Sequence, residues 1–224
     1  MDEQANHTNF KTIFHQLSRL IRRIPFTICM VAILIVVAWA THSYFQELAR
    51  NWIERLGFAP NDFWLFRWER LVLSALVTQG GLTFWFAVVA TAVTSGLAEW
   101  KSGTLRTFVA FWGVHLGALM LESALFLLPL HRLGFPAARA AFFSRNVGPS
   151  AGYMGLLGYL ATFLPKRWRW LAFSTILVGL LIVLFIPPRP GQTLAIKLAD
   201  DMAHLIAFPL GWLTAYLIRK NNAR

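Results

Sequence analysis

The sequence predicts an all-α membrane protein: a bundle of six transmembrane helices with an interfacial helical loop between spans one and two. Three observations predict it. Of 224 residues, 57% are hydrophobic and 14% charged, where a soluble domain carries roughly 25% charged residues. The charges gather in short clusters between apolar runs near the ~20 residues that cross hydrocarbon as a helix. Most of the tryptophans (Trp39, Trp52, Trp64, Trp68, Trp100, Trp168 and Trp170) fall at or near the ends of those runs, where indole is stable.

The first run is Ile24 to Tyr44. Arg19, Arg22 and Arg23 precede it without a small-residue cleavage site, so it reads as a retained span and not a signal peptide. Gln46 to Arg70 follows, rich in Trp, Phe and Leu and broken by Gly57 and Pro60. Its Leu48, Trp52, Ile53 and Leu56 recur at helical spacing among charges, the pattern of short helices lying in an interface. The second run is Leu71 to Ala98, long enough to tilt, and the third is Leu105 to Leu130. The fourth, Ser150 to Leu164, is short for a span, as expected if it starts in a protein-lined cavity. The fifth runs from Trp170 to Ile186 and is closed by Pro187-Pro188; the sixth runs from Ala199 to Ile218. Residues 1–23 are then a cytoplasmic N-terminal segment, 24–218 the membrane domain and 219–224 a cytoplasmic tail.

With the N-terminus inside, 12 of the 21 Lys and Arg face inward and 9 outward, several of the latter offset by Glu47, Glu54, Asp62, Glu69, Asp200 and Asp201. Both termini therefore read as cytoplasmic. The net charge of +11 sits at span ends, where it attracts anionic headgroups; the partner it implies is the lipid bilayer and not nucleic acid. A single cysteine, Cys29, excludes an intramolecular disulfide or a cysteine metal cluster. The compact chain with no targeting extension suggests a bacterial inner membrane.

Ionisable residues inside spans are costly unless partnered or wetted. His115 and Glu122, seven apart on one face of the third run, suggest an interhelical hydrogen bond or a proton path in a transporter. His204 lies in the sixth run with Asp200 one turn before it, a carboxylate able to hold the imidazole. Ala207 and Gly211 follow at three and seven, and Ala151, Gly155 and Gly158 give the fourth run a matching small-residue face. Small faces let helix backbones approach, which brings Ser150 within reach of His204. A serine nucleophile requires such a base to take its proton. Gly148-Pro149-Ser150-Ala151-Gly152 lacks a preceding strand, which excludes the soluble nucleophile elbow. Pro149 suits the first turn of a helix, whose free N–H groups can receive an oxyanion.

These residues resemble the rhomboid family of intramembrane serine proteases. Gly148-Pro149-Ser150 is similar to its Gly-x-Ser motif at the fourth core helix. Ala203-His204-Leu-Ile-Ala207-Phe-Pro-Leu-Gly211 is similar to its Ala-His-x-x-Gly-x-x-x-Gly motif in the sixth. Glu99-Trp-Lys-Ser-Gly103-Thr-Leu-Arg106 and Trp68-Glu69-Arg70 look like its Glu-x-x-x-Gly-x-x-Arg and Trp-Arg elements. The resemblance covers Trp68 to Gly211 and implies a six-helix core in which a Ser150–His204 dyad cleaves transmembrane protein substrates near the outer interface. It implies no metal and no cofactor.

Several positions depart from the pattern. The His and Asn that the family carries in its second core helix fall near Thr83 and Ala87, leaving the Ser150 N–H with Thr83 or Gln79 to receive the oxyanion. Ala151 follows the serine in place of Gly, Ala207 replaces the first Gly after the histidine, and the aromatic that covers the histidine falls at Met154, beside Tyr153. An inactive rhomboid-like protein that binds membrane clients is the alternative expectation.

Overall fold

The computed structural model describes residues 22–188 and 192–221, with side chains to Arg219. Most of the 1–23 segment, Arg189 and the last residues of the tail lie outside it, so the expected cytoplasmic placement of Lys11, Arg19 and Arg224 falls outside the described residues. The described residues are helical, with two isolated bridges, Glu47 with Gly80 and Phe58 with Asn146, and no strand.

Helix α1 (Pro25–Ala40) opens on a proline, whose missing N–H costs nothing in a first turn. Glu99 completes that turn, accepting from the N–H groups of Phe26 and Thr27 at 2.9 Å each and from Thr27 Oγ1 at 2.8 Å. A buried carboxylate at a helix N-terminus satisfies orphan donors and favours the dipole. The first and last residues of the Glu99–Arg106 motif thus do different work: Glu99 is buried, Arg106 exposed.

Between α1 and the next long helix lie α2 (Arg50–Leu56), α3 (Pro60–Trp64) and α4 (Glu69–Leu73), the last continued by a 3₁₀ turn to Leu76. Helix α2 is amphipathic as its spacing predicts. Trp52, Ile53 and Leu56 pack on Leu48, Val77 and Val147, while Arg50, Glu54 and Arg55 are exposed. The second run is shorter than its hydrophobicity suggests. Helix α5 spans Gly81–Ser102, and Leu71–Leu76 belongs to the loop. The break is conformational: Gly80 and Gly81 have φ of +84° and +56°, and a Cβ on Gly80 would collide with the backbone at Ser43, Gln46 and Leu48.

Helix α6 (Thr104–Leu121) passes through a π-helical segment, Glu122–Leu127, into α7 (Leu128–Arg132). Pro129 explains the widening, since its ring clashes with the carbonyl four residues back. Helix α8 (Pro136–Phe143) leads to the loop before α9 (Ser150–Ala161), followed by α10 (Lys166–Val183) and α11 (Leu194–Asn221).

Among the described residues, three helical stretches are long and apolar enough to cross a membrane: Gly81–Ser102, Thr104–Arg132 and Leu194–Arg219; Pro25–Ala40 is a shorter apolar helix. The 12 residues of α9 rise about 18 Å, well short of a ~30 Å hydrocarbon core. Helix α9 is instead the centre of the molecule, with eight of its residues buried, packed against α5, α6 and α11. Helix α10 buries none of its residues fully and holds α11 through Phe173, whose ring lies 5.4 Å from Phe208 and 4.8 Å from Trp212. Six of the seven interfacial tryptophans named above are exposed, and Trp52 is half-buried.

Candidate active site

Small residues bring α9 and α11 into backbone contact. A Cβ on Gly211 would overlap the Gly155 carbonyl, and one on Gly158 would overlap that of Phe208. Ala207 and Ala151 are buried in one cluster with Val114 and Ala118 of α6, and Met154 packs against it. Contact at this distance requires residues without side-chain bulk, and the face that Ala151, Gly155 and Gly158 present to Ala207 and Gly211 supplies them.

Ser150 is the first residue of α9. Gly148, with φ of +146°, turns the chain into the helix in a conformation that favours glycine. Its N–H donates to the Ser74 carbonyl at 2.8 Å, and a Cβ there would lie 3.7 Å from Ser150 Oγ. The first-turn amides of Ser150, Ala151 and Gly152 have no backbone acceptor among the described residues, as at any helix start. Ser150 lines a cavity of about 30 Å³ together with Ser74, His115, Asn146, Gly148 and Asp200. That volume admits a water molecule.

His204 lies on α11 one turn before Ala207, the residue packed beside Ala151. Its Nε2 is 3.7 Å from Asp200 Oδ1 and is buried without a hydrogen-bond partner among the described residues. No hydrogen bond joins Ser150 to His204 among the described residues. Asp200, which lines the Ser150 cavity, is held by Asn146, whose Nδ2 donates to Asp200 Oδ1 at 3.0 Å. Gln79 does not line the cavity; its Nε2 donates to Asn146 Oδ1 at 3.0 Å. Thr83 is exposed on α5 and does not line the cavity either. Ala87 is buried, and Tyr153 faces α5 with its ring 6.5 Å from that of Phe86.

Asn146 was invisible in the sequence, where it is one polar residue in a loop. Its backbone is clamped by the bridge to Phe58, with N–H to O distances of 2.9 and 3.0 Å. The preceding Arg145 donates to Asp62 at 2.5 Å and to Glu54 at 3.0 Å. Asp62 is 1% exposed and also faces Arg67 and Arg70 at 3.5 and 3.6 Å. Arg70, the arginine of the Trp-Arg element, further donates to the carbonyl of Glu54 at 3.0 Å. The charges of the loop thus brace the segment that leads to Ser150.

His115 and Glu122 are both buried. His115 Nε2 is 3.1 Å from the Leu71 carbonyl, tying α6 to α4, while its Nδ1 and Glu122 Oε1 have no partner among the described residues. The described residues contain no group of three or more His, Cys, Asp or Glu placed to hold a metal. No protein-family model, curated protein or solved structure matches the chain.

Proposed function

We propose that the chain is a six-span, rhomboid-like intramembrane serine endopeptidase with both termini cytoplasmic, cleaving transmembrane protein substrates near the outer interface. One observation carries the reading. Ser150 opens a buried helix beside a water-sized cavity, and the helix pressed against it bears His204 with an unpartnered buried nitrogen. In this reading α1 and α10 are spans alongside the three longer stretches, and the short α9 sits below the surface at the bottom of the cavity. Water reaches it from the outer side.

Ser150 Oγ attacks the scissile carbonyl as His204 takes its proton; the tetrahedral oxyanion is received by first-turn N–H groups of α9. The imidazolium then gives its proton to the leaving amine, and a water repeats the sequence on the acyl-enzyme. Asp200 stabilises the imidazolium. His204 does not line the Ser150 cavity, so in this reading the Ser150–His204 hydrogen bond forms when substrate binds.

That missing hydrogen bond favours a second reading, a client-binding protein that uses the same fold without turnover. Cleavage of single-span substrates in proteoliposomes by wild type and Ser150→Ala separates the two. Product from wild type alone supports the protease; equal product from both eliminates it. Client binding without product from either establishes the second reading.

A further inference from the structure

The Asn146 carboxamide has a fixed orientation. Its Oδ1 accepts from the Val147 N–H at 2.9 Å, and a backbone N–H can only donate, so the oxygen and not the nitrogen lies there. Its Nδ2 is thereby turned toward Asp200, whose Oδ1 accepts from it at 3.0 Å. Gln79 Nε2 closes the arrangement from the other side, at 3.0 Å from the same Oδ1. Asn146 cannot drift, because its backbone is paired with Phe58 and Arg145 beside it is anchored on the buried Asp62.

The loop before Ser150 therefore reaches across to α11 and grips the carboxylate one turn before His204. We propose that Asn146 is a positioning residue for the dyad: it holds Asp200 beside His204 and fixes α11 to the segment that delivers Ser150. Gln79 supports Asn146 rather than the oxyanion. This rests on the protease reading above and adds a residue that the sequence pattern does not assign. Without the donor, the Asp200 carboxylate is free to change rotamer and His204 loses its fixed neighbour. At metal sites, outer-shell hydrogen bonds that orient a ligand are worth about 10- to 100-fold in activity, and a loss of that order is expected here.

The test uses the full-length protein in proteoliposomes with a single-span substrate, and a fluorophosphonate probe that reports Ser150 reactivity directly. Asn146→Ala is expected to lower turnover and labelling about tenfold or more with the KM for substrate unchanged. Asp200→Ala should lose a similar factor, and the double variant should be no slower than Asp200→Ala alone, since coupled residues are not additive. Asn146→Asp retains the acceptor for Gln79 and Val147 but sets a second carboxyl group against Asp200 in place of the donor; it should lose activity, and its thermal midpoint is read alongside. Additive losses in the double variant, or full activity in Asn146→Asp, overturn the proposal. Ser150→Ala and His204→Ala run alongside. If they label like wild type, the dyad itself fails; if they abolish labelling while the Asn146 variants match wild type, the positioning role alone fails.

Discussion

The carbonyl of Gly155 occupies the space that a Cβ on Gly211 would need. This contact sets the distance between α9 and α11, and with it the distance between the serine and histidine that the two helices carry. Gly211→Ala is therefore expected to cost about 1–3 kcal/mol by overpacking and to move His204 away from Ser150. Gly179 in α10 meets nothing within 4 Å, so Gly179→Ala should be neutral or stabilising by up to about 1 kcal/mol through helix propensity. Unfolding midpoints in detergent compare the two variants, and equal effects would contradict the packing account.

Glu99 gives a second prediction. Three donors at the start of α1 converge on its carboxylate, and hydrogen bonds to charged groups are worth about 1.5–3 kcal/mol each. Glu99→Gln keeps the shape but loses the charge and one acceptor oxygen, so it should destabilise by at least about 1.5 kcal/mol. Thr27→Val removes one donor and should cost about 1 kcal/mol. Chemical denaturation in mixed micelles measures both, and a larger loss in Thr27→Val would overturn the ranking.

Asp62 is the buried hub of the loop, facing Arg145, Arg67 and Arg70. Removing one partner of a buried ion pair leaves the other uncompensated, at about 3–5 kcal/mol. Asp62→Ala should fall in that range and reduce turnover by loosening the Arg145–Asn146 segment, although Asp62 does not line the Ser150 cavity. Arg67→Ala removes an exposed partner and should cost no more than about 1 kcal/mol.

The parts of this arrangement that follow from periodicity are legible in the sequence. The small-residue faces at Ala151, Gly155 and Gly158 and at Ala207 and Gly211 encode helix contact directly, and the stripe of α2 announces its own amphipathic face. The true start of α5 was not legible. Leu71 to Leu76 is as apolar as a span, and only the paired positive-φ glycines divide it from the helix. Asn146 was hidden for a different reason: its role depends on Gln79, Phe58 and Asp200, which lie far apart in sequence and meet through tertiary structure. Thr83 is exposed on α5 and lies outside the Ser150 cavity lining, an outward placement that the sequence pattern alone does not reveal.

That outward placement yields the last prediction. An oxyanion donor must lie within hydrogen-bond distance of the developing charge, and losing one costs about 100- to 1000-fold in rate. Thr83 is exposed and absent from the cavity lining, so Thr83→Val should leave turnover within about twofold of wild type. Gln79→Ala removes the support of Asn146 and should lower turnover, by less than Asn146→Ala because Val147 still holds the carboxamide oxygen. Initial rates on one single-span substrate rank the three. A loss in Thr83→Val of 100-fold or more would return the oxyanion role to α5 and require that helix to rotate on binding substrate.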